Sequence, residues 1–312
     1  MEVIKDVSEI LNFRFKPKHL HSWWNQKYSG SKPNDELIKK YLYPNPVVFF
    51  NFKSVFFDSN NKYTRQDFND ESNNIFCDVN SNFNDLTSFL DQNNSKFEYL
   101  VCAGDDNHLS KNIKYLQKTK HRFKKIYYEA KDVECDWVQT IPMGMIMAYM
   151  LRNGGNDAIL PQINKKKNKT KLIATAFGSR FPHLTDRIPD RSKLEHFTNN
   201  CDFMDDMFCE PIEFYENLCD YRFFACPLGN GIQTPKICEC IMCETVPVVT
   251  DHVAHRELRD IYDLPLLIVN EWTDLTEQFL NDQWNSVYSK VDWNLQKSKF
   301  LVSNFYNLLQ NN

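Results

Sequence analysis

Short apolar runs alternating with longer amphipathic stretches restrict this chain more than any other feature. Runs at 47–57 (VVFFNFKSVFF), 73–79 (NNIFCDV), 97–104 (FEYLVCAG), 123–131 (FKKIYYEAK) and 137–144 (WVQTIPMG) are interleaved with segments such as LTSFLDQ at 86–92 and HLSKNIKYLQK at 108–118. A short apolar run suits a strand buried on both faces, and helical periodicity between such runs predicts βαβ units in a mainly parallel sheet. After residue 170 the pattern resumes as KLIATAFG, DRSKLEHF, CDFM, IEFYENLCDY, FFACPL, TPKICECIMCE, VPVVT, HRELRDIY and LPLLIV, alternately strand and helix. No strand follows Trp272, so the helical tail is expected to pack back across one or both domains.

Between the two alternations, Gly154-Gly155 and the basic stretch INKKKNKTK lack apolar periodicity and read as an exposed connector, with a boundary near Pro161. The expected division is an α/β domain at 1–160, a second at 161–275 and C-terminal helices at 276–312. A chain of 312 residues accommodates two domains of ordinary size.

Hydrophobic residues at 42% and charged residues at 25% fit a globular chain and exclude extensive disorder. A net charge of -4 gives no global field for a polyanion, so nucleic acid is not expected as the main partner, although Lys165–Lys167 can attract phosphates locally. The first residues lack a secretion-signal pattern and no window is long and apolar enough to span a bilayer, which predicts a cytoplasmic protein without a membrane anchor. The ten cysteines lack the spacing of a disulfide scaffold and are expected as reduced, mostly buried thiols.

In open parallel sheets ligands gather at the carboxyl ends of strands. At one such end, CPLG at 226–229 leads through Asn230, Gly231, Ile232, Gln233 and Thr234 to a helix starting near Pro235. Gly229 and Gly231 let a backbone approach a ligand, Thr234 can cap the helix, and a helix start with Lys236 beside it suits a phosphate. One turn on, Glu239 either accepts from both hydroxyls of a ribose or is an exposed residue on a tight turn. A second strand end at Gly178 leads into Ser179, Arg180, His183, Arg187, Arg191 and Lys193, either a diphosphate grip or a solvated basic loop. Arg191 is the preferred phosphate ligand because it lies near the helix start.

In the first half, Gly104 is followed by Asp105, Asp106, Asn107 and His108. Either aspartate or the imidazole suits a general base, and Asp106 or Asn107 equally suits a helix N-cap. Trp137, Met143 and Gly144 are expected at an interdomain cleft, where the indole either stacks on a sugar or fills core. Cys238, Cys240 and Cys243 invite a metal reading, but on a helix only Cys240 and Cys243 share a face, so packing is expected and no metal. The chain has no Gly-x-Ser-x-Gly elbow, no Gly-x-x-x-x-Gly-Lys-Ser/Thr loop and no full Gly-x-Gly-x-x-Gly, which turns against hydrolase, kinase and dehydrogenase readings.

CPLGNG at 226–231, Glu239-Cys240-Ile241, Glu244-Thr245-Val246-Pro247-Val248, Asp263-Leu264-Pro265-Leu266 and Glu271-Trp272-Thr273-Asp274-Leu275 follow one another in an order and spacing that resembles the exostosin-like glycosyltransferases and the related ribitol xylosyltransferase-like and viral enzymes. Thr140–Gly144 and Gly104-Asp105-Asp106 are similar more weakly. The resemblance implies a GT-B architecture of two facing Rossmann-like domains, with the donor in the C-terminal domain and the acceptor in the N-terminal one. It further implies an inverting transferase with no obligatory metal. A sugar would pass from a nucleoside diphosphate donor, taken as UDP-xylose or a UDP-hexose, to a hydroxyl of a glycan or glycoprotein.

On this reading Asp105 or Asp106 is the base and Glu239 holds the ribose. Arg187, Arg191, Lys236 and residues 229–234 hold the phosphates, and His108, Trp137, Met143 and Gly144 face the acceptor. Cys240 and Glu244 depart from the family pattern, which has alanine and glycine there. The lack of an anchor points to a viral or microbial member acting in the cytoplasm. The alternatives are a non-catalytic nucleotide-sugar or glycan-binding module of the same fold, and a metal-dependent enzyme using the aspartate pair.

Overall fold

The computed structural model describes residues 3–12, 74–78, 83–92, 96–104, 106–165, 167–176, 189–229 and 231–311. The strand expected at 47–57 lies outside the described residues, as do Asp105, Arg187, Asn230 and the segment from Gly178 to His183. The chain is a mixed α/β protein with two all-parallel sheets of four and five strands.

The first sheet contains β1 (Asn74–Asp78), β2 (Phe97–Ala103), β3 (Phe123–Tyr128) and β4 (Val138–Thr140), laid down side by side in chain order. Helix α1 (Phe83–Gln92) joins β1 to β2, and α2 (Leu109–Thr119) joins β2 to β3. Right-handed crossovers that all step in one direction place their helices on one face. Leu86, Leu90, Leu109 and Leu116 accordingly pack against Ile75, Leu100 and Ile126. Phe76, Tyr99, Val101 and Tyr127 point to the other face, which the crossover helices leave bare.

Helices α3 (Met147–Arg152) and α4 (Gly155–Asn164) lead to the second sheet. Pro161 lies inside α4, so the boundary expected there falls within a helix. In the basic stretch that follows, Lys165, Asn168, Thr170 and Lys171 are exposed, but Lys169 docks. Lys169 Nζ donates to Cys243 O and Thr245 Oγ1, both at 2.8 Å, and burial pushes its pKa down to about 8. An unbroken polar run hid this docking from periodicity, because a lysine stem can bury while its ammonium finds carbonyls.

The second sheet holds β5 (Lys171–Thr175), β6 (Met204–Asp206), β7 (Tyr221–Ala225), β8 (Val246–Thr250) and β9 (Leu267–Val269), ordered β6-β5-β7-β8-β9. Its connections are α5 (Pro189–Thr198), α6 (Phe214–Leu218), α7 (Lys236–Met242) and α8 (Val253–Asp260). The step from β5 to β6 runs one way and all later steps run the other, so the helices divide between two faces. Leu194 of α5 packs with Ile173, Phe223 and Val248. Phe214, Ile241 and Leu258, from α6, α7 and α8, pack with Ala174, Phe224 and Val249.

The tail contributes to both cores. Helix α9 (Glu277–Ser286) inserts Leu280 into the cluster that holds Leu194, and α10 (Trp293–Ser298) carries Lys297 to Glu244 at 2.6 Å. Helix α11 (Val302–Asn311) lays Phe305 and Leu309 on the bare face of the first sheet, where the Tyr127 hydroxyl donates to Leu309 O at 2.9 Å. All ten cysteines are free thiols, and only Cys201 and Cys209 are partly exposed. Among the described residues, no helix is long and apolar enough to cross a membrane.

Candidate functional site

Where an open parallel sheet reverses its winding direction, ligands gather in the crevice at the carboxyl ends of the flanking strands, here β5 and β7. The residues after β7, from Cys226 to Gly229, and the start of α5 meet at this switch point. Asp190 ties them together: its carboxylate accepts from Leu228 N at 2.7 Å and from Trp272 Nε1 at 2.8 Å. Burial pushes the Asp190 pKa up, opposed by these hydrogen bonds.

Arg191, the next residue, donates from Nε to Leu228 O at 3.1 Å. Its Nη2 passes 3.1 Å from where a β-carbon on Gly229 would stand, so a side chain at 229 would crowd the guanidinium. Burial lowers the Arg191 pKa, while the negative charges of Asp106, Tyr149 (when ionised) and Asp190 raise it. Asp106 belongs to the loop after β2, so a residue of the first sheet's carboxyl edge lies within electrostatic reach of the second sheet's crevice.

Further contacts join the same two edges. Gln233 donates from Nε2 to Glu129 O and Ile141 O, both at 2.7 Å, and accepts from Met143 N at 2.8 Å. Glu257 of α8 accepts from Thr140 N at 2.6 Å and pairs with the buried Lys131, and Arg256 meets Glu134 at 2.6 Å. Beside these contacts, His108 Nδ1 stands 3.5 Å from Asp132 Oδ2. His252, at the carboxyl end of β8, faces this pair. Burial lowers its pKa, with Asp132 opposing and Arg256 and His108 reinforcing the shift. Its Nδ1 accepts from Ala254 N at 3.2 Å, which leaves Nε2 as the protonated nitrogen of the neutral ring.

No family model matches the chain, and no curated protein matches it.

The expected donor residues divide into three groups. Arg191 and Gly229 meet at the switch point, and Thr234 and Lys236 stand at the start of α7, with Thr234 Oγ1 accepting from Lys236 N at 3.4 Å. Gln233 is instead committed to the three backbone groups above, and Ile232 packs in the first sheet's core beside Leu109 and Ile126. Only the backbone of these two residues, and of the buried Gly231, remains for a ligand.

Glu239 is fully enclosed. Lys236 Nζ donates to its Oε2 at 2.7 Å, and Oε1 has no hydrogen-bond partner. Close by is the buried Tyr215 hydroxyl, whose pKa rises through burial, the Glu239 charge and a contact with the Glu239 carboxylate. Neither a solvent-facing turn residue nor an open ribose ligand describes this position. A ribose would have to displace Lys236 to reach it.

The acceptor-side group changes more. His108 does sit at the carboxyl edge, partly exposed at the start of α2 without capping it by a side-chain hydrogen bond. Met143 is buried against Gln233. Gly144 is pressed against the main chain at Leu11, whose carbonyl oxygen would lie 1.7 Å from an added β-carbon. Trp137 precedes β4 and therefore stands at the opposite, amino edge of the sheet. Cys238, Cys240 and Cys243 are all buried, with Cys240 Sγ 4.0 Å from Cys226 Sγ and Cys243 Sγ directed at Tyr215 O.

Sequence reasoning missed Asp132, Asp190 and His252. His252 was detectable, because it follows VPVVT at a strand's carboxyl end, where the rule applied to the neighbouring strands would have found it. Asp190 reads in sequence as one more polar residue of a helix start.

Proposed function

We propose that the crevice binds a nucleoside diphosphate sugar and that the protein is an inverting glycosyltransferase of GT-B architecture, transferring to a hydroxyl of a glycan or glycoprotein. The observation that carries this reading is Arg191, a partly dehydrated guanidinium at the switch point of the second sheet with Asp106 of the first sheet in its field. A partly buried arginine whose Nη donors have no partner among the described residues favours a diphosphate, whose oxygens match its fork. The backbone at Glu244 supports the resemblance independently. It takes φ of 59°, the left-handed region that favours the glycine of the family pattern.

The reaction needs a group that removes the acceptor proton as the hydroxyl attacks the anomeric carbon, and a cation that steadies the departing diphosphate. Arg191 supplies the second. For the first we assign His108, whose Nδ1 stands 3.5 Å from Asp132 Oδ2 and whose Nε2 has no partner among the described residues. Asp106 is the weaker candidate because its charge is already engaged by Arg191. UDP is the assigned nucleotide, on the resemblance alone.

Incubation with a panel of UDP- and GDP-sugars tests the proposal through slow donor hydrolysis. One donor is expected to be consumed, with turnover reduced about a hundredfold in His108→Gln and much less in Asp106→Asn. Saturable donor binding without turnover in any condition would identify a binding module instead, a reading that the enclosed Glu239 favours.

A further inference from the structure

Trp137 leads to a second surface, at the amino edge of the first sheet and away from the crevice. The loop before β3 brings Lys120 over it, with the ammonium 5.1 Å from the indole centroid. Around them lies a depression of about 500 Å³ whose walls include Lys120, His121, Lys124, Lys125, Asp136 and Trp137.

The charge here runs against that of the chain. Residues 114–125 read KYLQKTKHRFKK with no acidic member, although the net charge is -4. Lysines 131, 193, 236, 297 and 299 each meet a carboxylate. Lys120, Lys124 and Lys125 meet none, and the Trp137 indole N–H has no acceptor, among the described residues. Burial lowers the Lys125 pKa, and its ammonium, 5.2 Å from the Tyr127 ring centroid, has lost part of its hydration without meeting an anion among the described residues. A merely solvated basic face would be convex and fully hydrated.

We propose that this depression binds a compact oligo-anion, a small molecule with two or more phosphate or sulfate groups beside a ring that rests on Trp137. Three separate ammoniums act as point charges and ask for several negative charges, of which Asp136 offsets only one. The volume falls in the usual small-molecule range of roughly 300–1,000 Å³, and the walls offer one partly exposed aromatic face rather than a row of stacking platforms for a polymer. Phosphorylated and sulfated rings share this chemistry.

Calorimetry at low ionic strength with inorganic tripolyphosphate, a nucleoside triphosphate and a sulfated disaccharide tests the site on the full chain. Tripolyphosphate is expected to bind the wild type and Arg191→Ala alike, and to weaken at least about tenfold in a Lys120→Glu, Lys124→Glu double variant. One ring-bearing anion is expected to bind more tightly than tripolyphosphate and to lose that advantage in Trp137→Ala, and its identity names the source. Because Lys120 and Lys124 are exposed, the double variant should keep the wild-type unfolding temperature, which separates loss of the site from loss of the fold. Binding that follows Arg191 instead of the lysines, binding without a ring preference, or no binding at all would overturn the proposal.

Discussion

The two sheets have the same all-parallel pairing and differ in winding. The described strands of the first run in chain order and never reverse, whereas the second reverses once, at β5. That one difference decides where a crevice can form and which faces need outside help. The reversing sheet opens a gap at its own carboxyl edge and covers both faces largely with its own helices. The one-way sheet brings Asp106 within the field of Arg191 and His108 near His252, and among the described residues it takes Phe305 and Leu309 of α11 onto the face its own crossover helices leave bare.

Phe305→Ala attacks the dependent face and should have the largest effect, about 4 kcal/mol, as expected for emptying a buried phenylalanine site. Amide exchange is the sharper readout: β1 to β3 should lose protection while β7 and β8 keep theirs. Equal loss in both sheets would mean that the halves unfold as one cooperative unit.

Acid should act the other way, on the second sheet. Burial pushes the His255 imidazole from 6.5 down to about 4. The unfolded chain therefore binds the extra proton first. Stability is intact above about pH 6.5 and falls as pH drops toward 4, by about 3 kcal/mol at about 1.4 kcal/mol per unit. Denaturant titrations across this window should show the slope in the wild type and a flatter profile in His255→Gln.

Gln233→Leu tests the join between the sheets. It strands two carbonyls and one N–H of the first half, which should cost about 2 kcal/mol in thermal or chemical unfolding and loosen Glu129 to Met143. Arg191→Ala tests the crevice itself and should leave stability within about 0.5 kcal/mol while weakening UDP binding about tenfold, or about 1.4 kcal/mol. Unchanged UDP affinity in that variant would remove the diphosphate from the crevice.

The alternation of apolar runs made the two α/β halves legible, because a strand buried on both faces needs the same residues wherever its neighbours lie. FEYLVCAG and VPVVT are cases in which composition alone suffices. Strand order was not legible, since nothing in CDFM says that it pairs on the far side of β5. Side-chain commitment was hidden for the same reason. Gln233 and Trp137 occupy plausible positions in sequence, but one is drawn into the opposite half and the other ends at the wrong edge of its sheet. His108 was found because it lies just past a strand's carboxyl end, and Arg191 because it lies at the start of the helix that follows one, where topology and not packing sets the location.

The position of α11 also orders events in time. A nascent chain emerging from the ribosome would release β1 to β4 with α1 and α2 long before residues 302–311 exist, leaving Phe76, Tyr99, Val101 and Tyr127 without Phe305 and Leu309 throughout synthesis of the second half. That face of the first sheet therefore reaches its final packing only once the last helix has been made.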